Sequence, residues 1–339
     1  MSTRTVAALA VIATGSLAPA HASPPSLTPN VMAEDLATYR QARQSGGPGK
    51  DGIPSIDDPQ FQSAAEADDY LDSGDRIIGI VRNGEARAYP QRILVWHEIV
   101  NDTVGGDSLA ITYCPLTGTA LGFHRDDAEL GVSGKLVNSN LVMYDRATDT
   151  EYPQMLGTGI AGPLAGEGLE EVRVIWTEWG KWRERHPDTE VLTTDTGYMR
   201  NYDSDPYGAY NPASGYYAED SSPIFPVMHR DGRYPAKYEI FGFRDADGAV
   251  AVDPKHLAAA GVIHHDTGES EFLIIHDPEL ETGWVYTGDN METPDVDAIT
   301  FNDDGPDFDG RADLTEVNAY EAMWFAWYAF YPDTELLDG

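Results

Sequence analysis

The sequence predicts an α+β fold of short, mostly antiparallel strands forming sheets or barrels, built as an internal tandem duplication with one Trp-rich helix closing each copy. Three pairings predict it: two hairpins with Asn-Gly or Asp-Gly turns, two apolar strands that follow them, and two Trp-rich helices trailed by a shared Pro-Asp-Thr-Glu run. Strands this short, with turn residues between them and one helix per copy, fit antiparallel pairing better than a doubly wound sheet.

The first hairpin runs Ile77-Ile78-Gly79-Ile80-Val81-Arg82-Asn83-Gly84 and continues to Ala88-Tyr89-Pro90. Its counterpart begins Ile240-Phe241-Gly242-Phe243-Arg244, turns at Asp247-Gly248 and ends at Val252-Asp253-Pro254. Alternating apolar residues around such a dipeptide are the strongest short-range hairpin signal. Next, Leu109-Ala110-Ile111-Thr112-Tyr113-Cys114-Pro115 is echoed by Leu273-Ile274-Ile275-His276-Asp277-Pro278. Finally, His186-Pro187-Asp188-Thr189-Glu190 and Tyr331-Pro332-Asp333-Thr334-Glu335 each follow a Trp-rich helix, Trp176 to Arg185 and Ala319 to Phe330. Three matches in the same order are the mark of an internal repeat.

The organisation that follows is a signal peptide over 1–22, a flexible arm over 23–55, copy one over 56–197, a connecting loop over 198–226 and copy two over 227–339. The leader reading rests on Arg4, a short apolar stretch to Ala18 and the Ala20-His21-Ala22 cleavage pattern. It places the protein outside the cytoplasm. No later stretch is apolar for long enough to span a membrane. The arm carries Gly46-Gly47-Pro48-Gly49, and the loop is rich in Tyr, Asp, Gly and Pro without periodicity.

Charge narrows the function classes. Acidic residues number 57 against 22 basic ones, of which five are lysines, giving a net charge of −35. Self-repulsion of that size is tolerable where molar salt screens charges within roughly 3 Å, so the composition reads as halophilic. A nucleic-acid partner is excluded, since no basic stripe offsets the repulsion from phosphates. With Cys114 the single cysteine, no intramolecular disulfide exists.

Cys114 is also the leading functional candidate. It ends a predicted strand just before Pro115-Leu116-Thr117-Gly118, where a nearby hydroxyl can bond a thiolate and lower its pKa. His97, in Trp96-His97-Glu98-Ile99, is the candidate base or nitrogen ligand, with Glu98 or Asp102 to orient it. Met143 adds a thioether, so Cys114, His97 and Met143 form a soft donor set suited to copper or another transition metal. Thr117, Asn138, Asn140, Asp145, Arg146 and Gln154 would shape the pocket for a small molecule or metal ion. The alternative is a non-catalytic ligand-binding or structural module of the cell envelope, with Cys114 and His97 as packing residues. Copy two has Asp277 at the position of Cys114, with His264, His265, Asp266 and His276 nearby as a weaker metal set. Asp303 to Asp313 is acidic like a calcium loop and lacks its spacing. No nucleophile-elbow motif supports hydrolase chemistry.

Several long motifs carry a resemblance: Lys50-Asp51-Gly52-Ile53-Pro54, Trp96-His97-Glu98-Ile99-Val100-Asn101-Asp102, Tyr113-Cys114-Pro115-Leu116-Thr117-Gly118 and Asn138-Ser139-Asn140-Leu141-Val142-Met143-Tyr144-Asp145-Arg146. Together they resemble the family called domain of unknown function 3179 over nearly all of residues 45 to 337. The resemblance implies relatives across bacteria and archaea, often exported, with no activity to carry over. Similar proteins often place a second cysteine where this chain has Thr117, which implies a dithiol or metal role that a single sulfur here does not reproduce. The family's Trp-Ser-Gln near the Asp145 segment is altered to Tyr152-Pro153-Gln154.

Overall fold

A computed structural model describes residues 24–27, 29–289 and 291–339, so the expected signal segment over 1–22 lies outside the described residues. Its architecture grows from the two hairpins. Asn83 and Gly84 both adopt positive φ, 51° and 80°, and the tight turn lays Arg76–Arg82 antiparallel to Glu85–Pro90. Glu239–Arg244 and Ala249–Val252 pair in the same way.

Each hairpin grows into a sheet by the same two additions. Ile175–Glu178 joins the outer side of the first hairpin antiparallel, and Ala319–Met323 does so for the second. Chain then passes through the helices Trp179–Arg185 and Trp324–Phe330 and returns as Glu190–Leu192 and Glu335–Leu337. Both returning strands pair parallel to the second hairpin strand, Val191 opposite Ala88 and Leu336 opposite Ala251. One indole of each helix lies flat on a glycine of its sheet. A Cβ on Gly79 would sit 2.3 Å from the Trp182 ring, and one on Gly242 2.5 Å from the Trp327 ring. Trp182 donates its ring N–H to the Thr189 hydroxyl at 3.1 Å, and Trp327 to that of Thr334 at 3.0 Å. The threonines come from the shared Pro-Asp-Thr-Glu runs, so the repeated residues hold equivalent contacts.

Three further four-stranded sheets stand beside these two, along with three two-stranded pairs. Ile99–Val104, Asp107–Cys114, Thr119–His124 and Glu171–Val172 form one. Val262–Asp266, Glu271–Asp277, Thr282–Thr287 and Thr315–Val317 form another. The third, made of Gln44–Ser45, Leu130–Val137, Asn140–Asp145 and Glu151–Pro153, has no counterpart in the C-terminal half. These mostly antiparallel sheets, with 13% helix, are arranged as a five-blade propeller-like ring.

Two segments differ from the sequence reading. Residues 24–55 are strapped to the ring and do not hang free as an arm. Ser26–Leu27 pairs with Gly168–Leu169, the Val31 N–H donates to the Asp245 carbonyl at 2.7 Å, and Gln44–Ser45 edges a sheet. Asp35 caps the helix Leu36–Gln41, which buries Tyr39 against Phe330. The strap escaped the sequence reading because its contacts are distant in the chain. The 198–226 segment, expected as a connecting loop, buries Tyr202, Tyr216 and Tyr217 and covers the turn after Cys114. Among the described residues no helix is long and apolar enough to cross a membrane.

Candidate functional site

Cys114 is the last residue of its strand and stands opposite Thr119, across the Pro115-Leu116-Thr117-Gly118 reversal. Gly118 takes φ +63°, and a Cβ there would meet the Met323 side chain at 3.2 Å. The Met323 N–H donates to the Thr117 carbonyl at 3.0 Å, so the turn is fastened to the C-terminal half. Cys114 is 1% exposed; its Sγ accepts the Leu141 N–H at 3.3 Å and lies 3.9 Å from the Ser139 carbonyl oxygen.

Two ionisable groups share this interior. Lys237 is 3% exposed, and its Nζ has no hydrogen-bond partner. It lies 2.8 Å above the centroid of the Tyr216 ring and 5.0 Å from that of Phe325. Backbone pairing on either side, Phe325 N–H to Ala236 O and Trp324 N–H to Tyr238 O, holds Lys237 in place. Glu98 is buried too and adopts φ +59°, a left-handed conformation that costs a non-glycine residue roughly 1–3 kcal/mol.

Burial dominates the protonation of all three. It pushes the Glu98 carboxyl up to about 8. The Cys114 thiol is pushed up to about 11 by burial first and the Glu98 charge second, while the Thr117 hydroxyl and the Leu141 and Leu116 N–H groups pull it down. Lys237 is pushed down to about 7 by burial, against the opposing influence of Cys114. At neutral pH the chamber therefore favours a neutral thiol, a protonated acid and an amine close to half charged.

The cover comes from the 198–226 segment. Tyr216 donates its hydroxyl to the Leu116 carbonyl at 2.8 Å. Tyr210 and Tyr113 share a hydroxyl contact of 2.8 Å, and Tyr210 stacks on Tyr217 at 4.0 Å. Gln91 and the Tyr217 hydroxyl both donate to Asp205, at 2.7 and 2.9 Å. Outside this layer runs a groove of about 400 Å³ lined in part by Gln91, Asp205 and Tyr210.

Of the residues singled out in the sequence, Thr117, Asn140 and Gln154 do come together. Asn140 donates to the Thr117 hydroxyl at 3.1 Å and to Gln154 Oε1 at 2.9 Å, while Gln154 donates to the Thr112 hydroxyl at 2.9 Å. All are fully buried, and the network is satisfied internally, which makes it a rigid support under the Cys114 turn. Asn138 instead ties its turn to distant chain, donating to the Ala329 carbonyl and accepting from the Met228 N–H. Asp145 caps the turn at Thr148. Arg146 reaches the opposite way, to Ser55, Asp57 and Glu129. Neither lines the chamber.

His97 is not paired with the thiol. Its Nδ1 contacts the Pro54 carbonyl oxygen at 2.8 Å and its Nε2 the Tyr202 hydroxyl at 2.7 Å. A carbonyl only accepts, so Nδ1 carries the proton and Nε2 accepts from the tyrosine, leaving no lone pair for a metal. Burial lowers its pKa, in keeping with that neutral tautomer. Met143 packs in the apolar core. Among the described residues no group of three His, Cys, Asp or Glu is placed to hold a metal ion, and with both His97 nitrogens occupied the Cys114, His97 and Met143 set lacks its nitrogen donor. Asp102 takes the Tyr89 hydroxyl at 2.6 Å and does not orient His97.

The weaker set in the C-terminal half is likewise dispersed. His264 and His265 lie beside different carboxylates, Glu271 and Glu335. Asp277, the counterpart of Cys114, is fully buried in a bidentate pair with Arg185, at 2.6 and 2.9 Å.

Lys237 escaped the sequence reading although a signal was there. It is one of five lysines in a chain that otherwise avoids them, and it stands in Tyr234-Pro235-Ala236-Lys237-Tyr238 among apolar and aromatic neighbours. The clustering of Tyr207, Tyr210, Tyr216 and Tyr217 was the corresponding signal for the cover.

Fold and site define a ring of small β-sheets that buries a thiol, an amine and an acid, Cys114, Lys237 and Glu98, in its interior. The chain belongs to the family described as protein of unknown function (DUF3179), whose model matches residues 50–334. No curated protein and no solved structure matches it.

Proposed function

We propose that the chain carries a single-thiol reactive site at Cys114 for a small molecule, with Lys237 and Glu98 as its ionisable partners in place of His97. The observation that carries this reading is the unpartnered Nζ of Lys237, buried against Tyr216 and Phe325 of the same core cluster as the only cysteine. A lysine desolvated without a hydrogen bond is expensive to keep, and such groups cluster at functional sites. With the tyrosine cover closed the neutral pair is favoured. When the cover opens, water stabilises the charged forms, and the proton passes from the Cys114 sulfur to Nζ, giving a thiolate beside an ammonium.

The residue echoes support descent of the two halves from a tandem duplication, with the thiol itself particular to the first. We also propose an exported, salt-adapted protein, on the leader pattern and the charge of −35.

The test is alkylation of Cys114 in the folded protein by iodoacetamide, with Cys114→Ser as the blank. Labelling faster than global unfolding, and slowed in Lys237→Met, is the expected result. Labelling that occurs only as fast as the protein unfolds would sink the reading in favour of a non-catalytic binding or structural module.

A further inference from the structure

We infer that Lys237 is a carbonyl-capturing amine, and that the ligand of the chamber is a small uncharged aldehyde or ketone held as an imine on Nζ. The inference rests on the proposed site to the extent that small molecules must enter the same chamber. Its own basis is the geometry around Nζ. The nitrogen has no protein partner, so nothing must be broken before its lone pair is used. The face of Tyr216 lies 2.8 Å to one side and Phe325 close by, giving an apolar and aromatic wall.

The other four lysines lack this environment. Lys50 pairs with Asp149, Lys135 with Glu151 and Lys181 with Glu178 and Glu281. Lys255 lies 5.2 Å from the Tyr238 ring on a short surface helix.

The chemistry balances with solvent water as the proton carrier. The Nζ lone pair forms the C–N bond, and the carbonyl π pair moves to oxygen, which takes a proton from water while one N–H proton of the new ammonium returns to water. The nitrogen lone pair then forms the C=N bond as the hydroxyl, protonated by water, leaves as a water molecule, and the last N–H proton returns to solvent. One carbonyl compound and one amine give one imine and one water, with no net proton gained or lost. An uncharged ligand suits the site because a carboxylate or phosphate would have to be desolvated against the Tyr216 and Phe325 rings.

The experiment uses the full chain in molar KCl with propanal or benzaldehyde and sodium cyanoborohydride, which reduces an imine to a stable secondary amine. Peptide mapping reads the site, and iodoacetamide is added to a parallel sample to report entry to the chamber. Expected is alkylation of Lys237 ahead of the other four lysines at pH 7.5, retained in Cys114→Ser, with Lys237→Met as the blank. Glyoxylate, a carbonyl compound bearing a carboxylate, should label Lys237 far more slowly than propanal. If Cys114 is labelled while Lys237 is the slowest lysine, the carbonyl inference is overturned and the thiol reading stands. If neither reacts before unfolding, the chamber is sealed and both fall.

Discussion

Replacing Lys237 with methionine should stabilise the protein, and the gain should grow as pH falls. Burial moves this amine from an ordinary 10.5 to about 7, so at pH 7 folding strips the proton from about half of the Lys237 amines. For a base with a lowered folded-state pKa, stability is lost as pH falls from the unfolded value through the folded one, and the penalty is constant below it. At 1.36 kcal/mol per pH unit, the full drop corresponds to about 5 kcal/mol on the acid side and about 4 at pH 7, a ceiling that relaxation and water entry reduce to roughly 3. Methionine has a similar length and no charge, so it removes the penalty while still filling the space beside Tyr216 and Phe325. Urea unfolding of the wild type and Lys237→Met at fixed 2 M KCl, from pH 6 to pH 10, measures the difference directly. The two stabilities should converge toward pH 10 and separate by about 3–4 kcal/mol at pH 7, the variant being the more stable. Parallel pH profiles, or a variant less stable than the wild type at pH 7, would show that Lys237 is a paired cation and refute the argument.

Glu98→Gln should act in the opposite direction along the pH axis. A carboxyl raised to about 8 contributes stability that is present below its unfolded pKa and lost as pH rises through 8, so the variant should gain on the wild type between pH 5 and pH 8 in the same urea titration. Gly79→Ala and Gly242→Ala should each lose about 1–3 kcal/mol or more by thermal unfolding, since the new methyl meets an indole face at 2.3 and 2.5 Å; a loss at one site alone would break the equivalence of the two sheets. Asp277→Asn leaves Arg185 buried beside only the more exposed Glu279 and should cost about 3–5 kcal/mol in denaturant unfolding.

What could be read from the sequence was what repeats locally. Period-two alternation around Asn83-Gly84 marked the first hairpin, and the same rule marked the second. The Trp-rich segments stood out as well, but the helices expected over Trp176 to Arg185 and Ala319 to Phe330 begin as the strands Ile175–Glu178 and Ala319–Met323 and turn helical only at Trp179 and Trp324. The parallel return of Glu190–Leu192 and Glu335–Leu337, by contrast, depends on where a helix deposits the chain, and closure of the five sheets into a ring depends on contacts far apart in sequence. The site divides in the same way. Cys114 at a strand end was legible, whereas Thr117, Asn140 and Gln154, expected to shape a pocket, instead satisfy one another in a buried network. His97 was placed wrongly, since proximity in sequence to the Cys114 strand says nothing of Pro54 and Tyr202, which hold its two nitrogens. Lys237 was invisible as a partner of Cys114 because the strand it precedes lies in the other half of the chain.

The charge of the whole molecule bears on this amine as well. A chain with a net charge of −35 sets up a negative potential that favours the ammonium form, and a potential of a few kT is worth about one pH unit. The desolvation that favours the free amine is local and passes through salt unchanged, whereas the surface field is screened over roughly 30 Å at 0.01 M salt and about 3 Å at 1 M. The two effects oppose each other, and salt removes only one of them. Raising KCl from 0.1 to 2 M should therefore move the pH midpoint of Lys237 trapping by propanal downward and increase the free amine at neutral pH. A midpoint that rises with salt would mean that the acidic surface is not what holds the proton on Nζ.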